Sequence, residues 1–380
     1  MNTWFEKLVG KENISDEIID IEVYSTDGSQ IKGKANKVIW VENEKQVHQI
    51  VLYARRNKMD VVARGAGTSL VGGVVPFNSI VIDLTKMNKM TIGKDHAIVE
   101  PGVILDDLNS MLADKFFPVI PEDSSVCTIG GMCGVNSTGR YERKYGRMKD
   151  WVMEVEMIDG NGKLRKCGNE VIGMEGIIGV ITKIKLKLAD GVIERSMNIF
   201  KFQRIEDAVN RLLNLKSNKD VLAIEFISAS AAILSGLEAR HYIIVEYHGL
   251  EGEIKDNNEI ERIWKIRKNV FSGLAGKGFV FVEDASLPTE NLTELVYWLE
   301  KKGVPSYGPV GVGVVYPCFD EREDVKEFYE FIKELNGKVG SVFGYGILKK
   351  EFVEEERKKE LMELKAKFDP YEIMNRGKVI

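Results

Sequence analysis

One stretch constrains this chain more than any other: Val61-Val62-Ala63-Arg64-Gly65-Ala66-Gly67-Thr68-Ser69-Leu70-Val71-Gly72-Gly73. An apolar run ends in an arginine and then in four glycines spaced by small or polar residues. That pattern predicts a buried strand running into a turn with exposed backbone. Glycine permits positive φ and lets a ligand approach the peptide groups. Consecutive amide N–H groups in such a turn make an anion-binding nest. The fitting anion is a diphosphate, with Arg64, Thr68 and Ser69 as added donors. A loop like this taken alone fits an ordinary surface turn equally well.

Two further stretches share the character. One is Cys127-Thr128-Ile129-Gly130-Gly131-Met132-Cys133-Gly134-Val135-Asn136-Ser137-Thr138-Gly139, followed by Lys144-Tyr145-Gly146. The other is Gly173-Met174-Glu175-Gly176-Ile177-Ile178-Gly179-Val180-Ile181, leading into the alternating run Lys183–Leu188. Three such loops in one half of a chain imply a long ligand held along its length. A nicotinamide Rossmann loop is disfavoured, because Leu70 stands where the third glycine of Gly-x-Gly-x-x-Gly belongs. The Gly-Lys-[Ser/Thr] ending of an ATPase phosphate loop is missing too.

These residues resemble the FAD-binding domain of the vanillyl-alcohol oxidase and para-cresol methylhydroxylase superfamily, in its glycolate oxidase and D-lactate dehydrogenase branch. Tyr24-Ser25-Thr26-Asp27-Gly28-Ser29 is similar to that branch's opening motif, and Arg64–Gly73 to its diphosphate loop. Pro101-Gly102-Val103, Cys127–Gly131 and Glu175–Val180 are similar to its later FAD contacts. Phe368-Asp369-Pro370 through Asn375-Arg376-Gly377-Lys378 is similar to its C-terminal signature, with Arg376 where proline is usual. The resemblance implies an α+β fold: a two-subdomain FAD-binding domain of the para-cresol methylhydroxylase type over 1–189 and an α/β substrate cap over 190–355. Residues 356–380 would return to the FAD domain. FAD contacts would come from Arg64, Gly65, Ala66, Gly67, Thr68, Ser69, Gly72, Pro101, Gly102, Thr128, Ile129, Gly130, Gly131, Ser137, Gly139, Tyr145, Gly146, Gly176, Ile178, Val180, Ile181 and Asn375. Thr68 takes the place of a flavin-linking histidine found in some relatives, so the FAD is expected to be non-covalent.

The cap departs from the family pattern. The branch carries two metal-ligating histidines in a glycine-rich strand, and Pro309 and Tyr316 stand in their place within Gly308–Tyr316. A later Glu-His pair is replaced within Gly340–Gly346. Proline, valine and phenylalanine ligate no cation, so no cap metal is expected. Trp264-Lys265-Ile266-Arg267 resembles the family's Trp-x-x-Arg helix, whose arginine binds a substrate carboxylate. Arg267 is the expected substrate anchor; an exposed arginine on a charged helix fits the same pattern. With no histidine in place, Tyr316 and Tyr345 are the candidates to polarise or deprotonate substrate, or else half-buried packing groups. A phenol near its ordinary value of about 10 needs strong help to act as a base.

The remaining expectations follow from composition. The chain has 380 residues, a formal charge of -5, four histidines and four cysteines without a Cys-x-x-Cys pair. Nucleic-acid binding, iron–sulfur or zinc centres, a signal peptide and a membrane span are all disfavoured, and a cytoplasmic location is expected. His241 and His248 flank a strand-like run at an odd separation, which puts them on opposite faces. Helices are predicted near Glu44–Ala54, Leu105–Lys115, Ile205–Lys216, Ile254–Phe271, Thr289–Lys301, Glu323–Asn336 and Lys349–Phe368. Cap strands are predicted near Leu222–Ser228, Tyr242–Tyr247, Phe279–Val282 and Val310–Tyr316. The resemblance, by contrast, implies FAD-dependent oxidation of a small D-lactate-like or glycolate-like hydroxy acid, or of an alcohol. The hydride passes to flavin N5, and the electrons to a quinone, a carrier protein or oxygen. The alternative is a flavin-binding subunit of a larger glycolate-oxidase-like complex; partner subunits and a homo-oligomer both stay open.

Overall fold

The structure is a computed structural model that describes residues 2–191, 194–340 and 342–380. The chain divides into two compact units. The first comprises Met1–Thr138, Arg147–Asp190 and Phe343–Ile380; the second comprises Gly139–Gly146 and Gly191–Val342.

The first unit holds two sheets. In one, Lys34–Trp40, Phe77–Asp83 and Val61–Arg64 run parallel in that order, with Ile14–Ser15 antiparallel at the edge. The helix Glu44–Asn57 makes the crossover from Lys34–Trp40 to the parallel strand Val61–Arg64, passing over Phe77–Asp83 between them. Its Asn43 cap accepts from Gln46 N at 3.1 Å, and Val47, Ile50, Val51 and Ala54 pack into one core with Ile39, Val61, Ile80 and Ile82. The other sheet is antiparallel, in the order Met90–Ile92, His96–Val99, Gly179–Lys187, Val152–Asp159, Leu164–Cys167. Its core takes in Ile129, Met132 and Cys133 of the helix Ile129–Val135 and Leu361 and Phe368 of the helix Glu355–Phe368. The C-terminus closes on the first sheet: Val61 N donates to Ile373 O and Asn375 N to Val61 O, both at 2.8 Å.

The second unit is built on an antiparallel sheet. Its order is Arg195–Phe202, His241–His248, Val221–Ile227, Ser306–Gly308, Val314–Phe319, Ala285–Ser286, Lys338–Val339, with Phe281–Val282 also paired to Val314–Phe319. The helices Ile205–Leu215, Asn257–Ala275, Leu292–Lys301 and Asp324–Glu334 belong to it. His241 is buried and accepts from Ala229 N through Nδ1 at 3.2 Å, whereas His248 is exposed.

Several elements end earlier or start later than their patterns suggest. The helix from Leu105 stops at Ser110. There Asn109 turns its amide to Phe117, accepting from N at 2.7 Å and donating to O at 3.3 Å, a side-chain competition that ends helices. Val310–Val312 forms a single 3₁₀ turn after Pro309, and the strand begins only at Val314. Among the described residues, no helix is long and apolar enough to cross a membrane.

Candidate active site

In the first unit the strand Val61–Arg64 delivers the glycine loop. Gly67 and Gly72 both sit at φ 75. Among the described residues, none of the amides from Gly65 to Leu70 donates to a protein acceptor. Six consecutive N–H groups are thus left without a protein acceptor, which an anion-binding nest needs. The loop is braced from its own side. Arg64 is buried, donates through Nη1 to Thr26 O at 2.7 Å and lies 5.0 Å over the Tyr24 ring. Tyr24 Oη donates to Asp83 Oδ2 at 2.7 Å and accepts from Trp40 Nε1 at 2.9 Å. Burial lowers the pKa of Arg64, opposed by Tyr24, Asp27 and Asp83. A Cβ on Gly67 would stand 2.3 Å from Arg64 Nη2, so the guanidinium supports the loop directly.

Other residues far apart in sequence meet this loop. A Cβ on Gly65 would lie 2.2 Å from Thr128 Oγ1, and Thr128 caps its helix by accepting from Gly131 N at 3.2 Å. Gly130 N donates to Pro101 O and Ile129 N to Val103 O, both at 2.8 Å. Asn375 Nδ2 donates to Gly73 O at 2.9 Å and to Glu175 O at 2.6 Å, and Gly176 is its neighbour. Asn375 Oδ1 is buried and accepts no hydrogen bond. Ile129, Ile178 and Val180 are core side chains and Ile181 packs on the core, so only their backbones can meet a ligand. Ser137 lies at the end of its helix, its N bonded to Met132 O at 2.9 Å. Gly139, Tyr145 and Gly146 fall in the segment that packs with the second unit.

Glu175 was missed as a polar feature of this site. It is buried at φ 43, and its carboxylate accepts from Tyr345 N at 2.8 Å and Gly346 N at 2.9 Å. The signal available was a lone glutamate between glycines in an apolar stretch. Burial pushes its pKa up to about 7 from 4.5, against those amides and the charges of Arg357 and Lys349. The protonated form is therefore favoured on folding. This contribution is fully present below about pH 4.5 and is lost as pH rises through about 7. Its full size is about 3 kcal/mol. Chemical denaturation from pH 5 to 8 will show stability falling with pH, and Glu175→Gln will flatten that slope; parallel slopes would remove Glu175 from the account.

The second unit places Arg267 and Tyr316 in one cluster. Arg267, on the helix Asn257–Ala275, donates through Nε (2.7 Å) and Nη2 (2.5 Å) to Glu225 Oε2. Both residues are 3% exposed. The guanidinium also lies 4.5 Å over the Tyr307 ring, and Tyr307 meets its cross-strand partner Tyr316 edge-on at 5.6 Å. Trp264 of the same helix donates to Glu246 Oε2 at 2.5 Å, and Tyr141 Oη donates to Glu246 Oε1 at 3.0 Å. Tyr345 belongs to the first unit, half-buried against its core. Pro309 and Tyr316 offer no imidazole, and among the described residues no three His, Cys, Asp or Glu side chains are grouped to hold a metal.

Residues 35–168 match the FAD binding domain family, and residues 221–379 match the C-terminal domain of FAD linked oxidases. The chain belongs to the FAD-linked oxidases. It is 27% identical to glycolate oxidase subunit GlcD of Bacillus subtilis, over 97% of this chain and 94% of that protein. It is 26% identical to D-lactate dehydrogenase of Archaeoglobus fulgidus (90% and 91% covered), and 24% identical to a mitochondrial D-2-hydroxyglutarate dehydrogenase of Arabidopsis thaliana (100% and 81% covered). The fold is shared with alkyldihydroxyacetonephosphate synthase at a TM-score of 0.72 and 15% identity, over 99% of this chain and 84% of that one.

This FAD-linked oxidase is thus an oxidoreductase, and FAD is its cofactor. The residues present fit that group. Open amides at Gly65–Leu70 suit a diphosphate, and the orphaned buried Asn375 Oδ1 has acceptor capacity for a ligand N–H or O–H.

Proposed function

We propose that this FAD-linked oxidase oxidises the CH–OH group of a small hydroxy acid or alcohol. The observation that carries the reading is the row of open amides at Gly65–Leu70, joined to Thr128, Pro101 and Asn375 from elsewhere in the chain. The named relatives, a glycolate oxidase subunit and two dehydrogenases of hydroxy acids, support the reaction class.

Bound FAD supplies a two-electron acceptor for the hydride leaving the carbinol carbon. The chain supplies placement and electrostatics. The amides of Gly65–Leu70 hold the diphosphate, and Arg64, fixed by Thr26 and Tyr24, keeps that loop in shape. Asn375 ties the loop to Glu175, and its buried Oδ1, without a protein donor, would accept from the ligand. Tyr316 in the second unit is the group proposed to hold or take the substrate hydroxyl proton; Tyr345, half-buried on the first unit's core, is the second candidate. Thr68 offers no nucleophile of the kind that links flavin, so the FAD is held without a covalent bond. Acid precipitation will leave the yellow colour in the supernatant; colour in the pellet would contradict this.

A second reading is a flavin-holding subunit that needs a partner for turnover. It is favoured by the Glu225 pairing of Arg267, which occupies the expected substrate anchor, and by the relative described as a subunit. Anaerobic mixing of the purified chain with D-lactate, glycolate, their neutral analogues and simple alcohols decides between them. Bleaching of the flavin by any of these is the expected result. No bleaching, with turnover restored by a co-purifying partner, would establish the subunit.

A further inference from the structure

We propose that Glu175 couples FAD binding to proton uptake: the chain holds FAD most tightly while this buried carboxyl is protonated, and loosens its hold as the carboxyl ionises. The inference rests on the reading that the amides of Gly65–Leu70 take the diphosphate, and adds a regulation to that same site.

Glu175 is where the segments of the site converge, all of them within the first unit. Its N donates to Gly134 O at 2.8 Å, on the second glycine stretch. Its O accepts from Asn375 Nδ2, which also serves Gly73 O on the first stretch. Its carboxylate accepts from Tyr345 N and Gly346 N, and Gly346 O in turn accepts from Val379 N at 2.7 Å. A Cβ on Gly344 would stand 2.8 Å from Glu175 Oε1, so the carboxylate is walled in on that side. On the other side it lies against the first loop. A Cβ on Gly73 would meet Ser69 Oγ at 2.9 Å and Glu175 Oε2 at 3.8 Å, and Ser69 belongs to the row of amides left without a protein acceptor. An ionised Glu175 therefore sets a negative charge beside the loop that takes the diphosphate.

Two like charges in a buried place repel more strongly than in water, and each disfavours the other. Burial alone already pushes Glu175 up to about 7, against the amides of Tyr345 and Gly346 and the cations of Arg357 and Lys349 that face it. The diphosphate adds to that push. By linkage, FAD affinity is level below about pH 7 and falls as pH rises above it. Lys378 of the C-terminal signature is the other group to separate. Burial brings it down to about 8, against Asp27 and Asp60, and loss of its positive charge would also weaken the hold on an anion.

The test dialyses the FAD-loaded full chain to equilibrium against FAD between pH 6 and 8.5. The Kd of wild type is expected to rise by about tenfold across that range. Calorimetry of FAD binding in two buffers of different ionisation enthalpy, at pH 7.5, is expected to show net proton uptake. Glu175→Gln is uncharged throughout and is expected to flatten the profile near the wild-type value at pH 6. Lys378→Arg keeps its charge and is expected to retain the wild-type profile. A level Kd or no proton uptake in wild type would overturn the proposal, even if Glu175→Gln does not fold. A slope that survives in Glu175→Gln, or vanishes in Lys378→Arg, would overturn it too. The nest reading fails separately: stoichiometric FAD in Gly67→Ala would remove it and this proposal together, whereas a level wild-type Kd beside a colourless Gly67→Ala would remove this proposal alone.

Discussion

Gly67→Ala will produce a folded, colourless protein. The residue sits at φ 75, where a side chain costs about 1 kcal/mol or more. The larger effect is steric: the new Cβ would stand 2.3 Å from Arg64 Nη2. Arg64 cannot step aside cheaply, because it is buried between Thr26 O and the Tyr24 ring. The loop must move, and the amides from Gly65 to Leu70 move with it. FAD affinity is expected to fall by about a hundredfold or more, corresponding to about 3 kcal/mol. Gly236 provides the control. It has φ 77, and a Cβ there would meet nothing within 4 Å, so Gly236→Ala carries the backbone cost without the clash. The measurement is the FAD-to-protein ratio after desalting, beside the far-UV circular dichroism. Stoichiometric FAD in Gly67→Ala would show that the diphosphate is held elsewhere.

Asn375→Ala will cost about 3–5 kcal/mol and with it most of the bound FAD. Its Nδ2 serves two carbonyls, Gly73 O and Glu175 O, which belong to two of the three glycine loops. Truncation takes a donor from both in a buried place, where each unmet group costs about 1–3 kcal/mol. The left-handed φ of 44 adds a smaller penalty for alanine. The melting temperature should drop by about 4–6 °C. Asn375→Asp separates the contributions: it keeps an acceptor at Oδ1 and loses the donor. If the donor matters as argued, aspartate will be as damaging as alanine. A thermal shift within about a degree for both variants would mean that the C-terminal signature is not what joins the loops.

Much of this was legible in the linear chain because it depends on local backbone chemistry. Apolar β-branched residues before glycines predict a buried strand and an open turn, and Val61–Gly73 became that. The amphipathic spacing from Glu44 gave a helix over Glu44–Asn57 with an asparagine cap. His241 and His248 took opposite environments, as an odd separation on a strand requires. Local competition was less legible: nothing in Leu105–Lys115 announced that Asn109 would bond to Phe117 and end the helix.

By itself, then, the order of residues determined where the chain would leave its backbone open, since glycine's missing Cβ is a property of single positions. Only the tertiary structure decided who meets whom. Asn375 is brought to Gly73 from 302 residues away, Glu175 is set on the amides of Tyr345 and Gly346, and Arg267 is given to Glu225. Such pairings are invisible in sequence because a charged side chain reads the same whether it will face a substrate or a partner 42 positions away. Burial forces the choice, since a charge removed from water must find its counter-charge inside the fold.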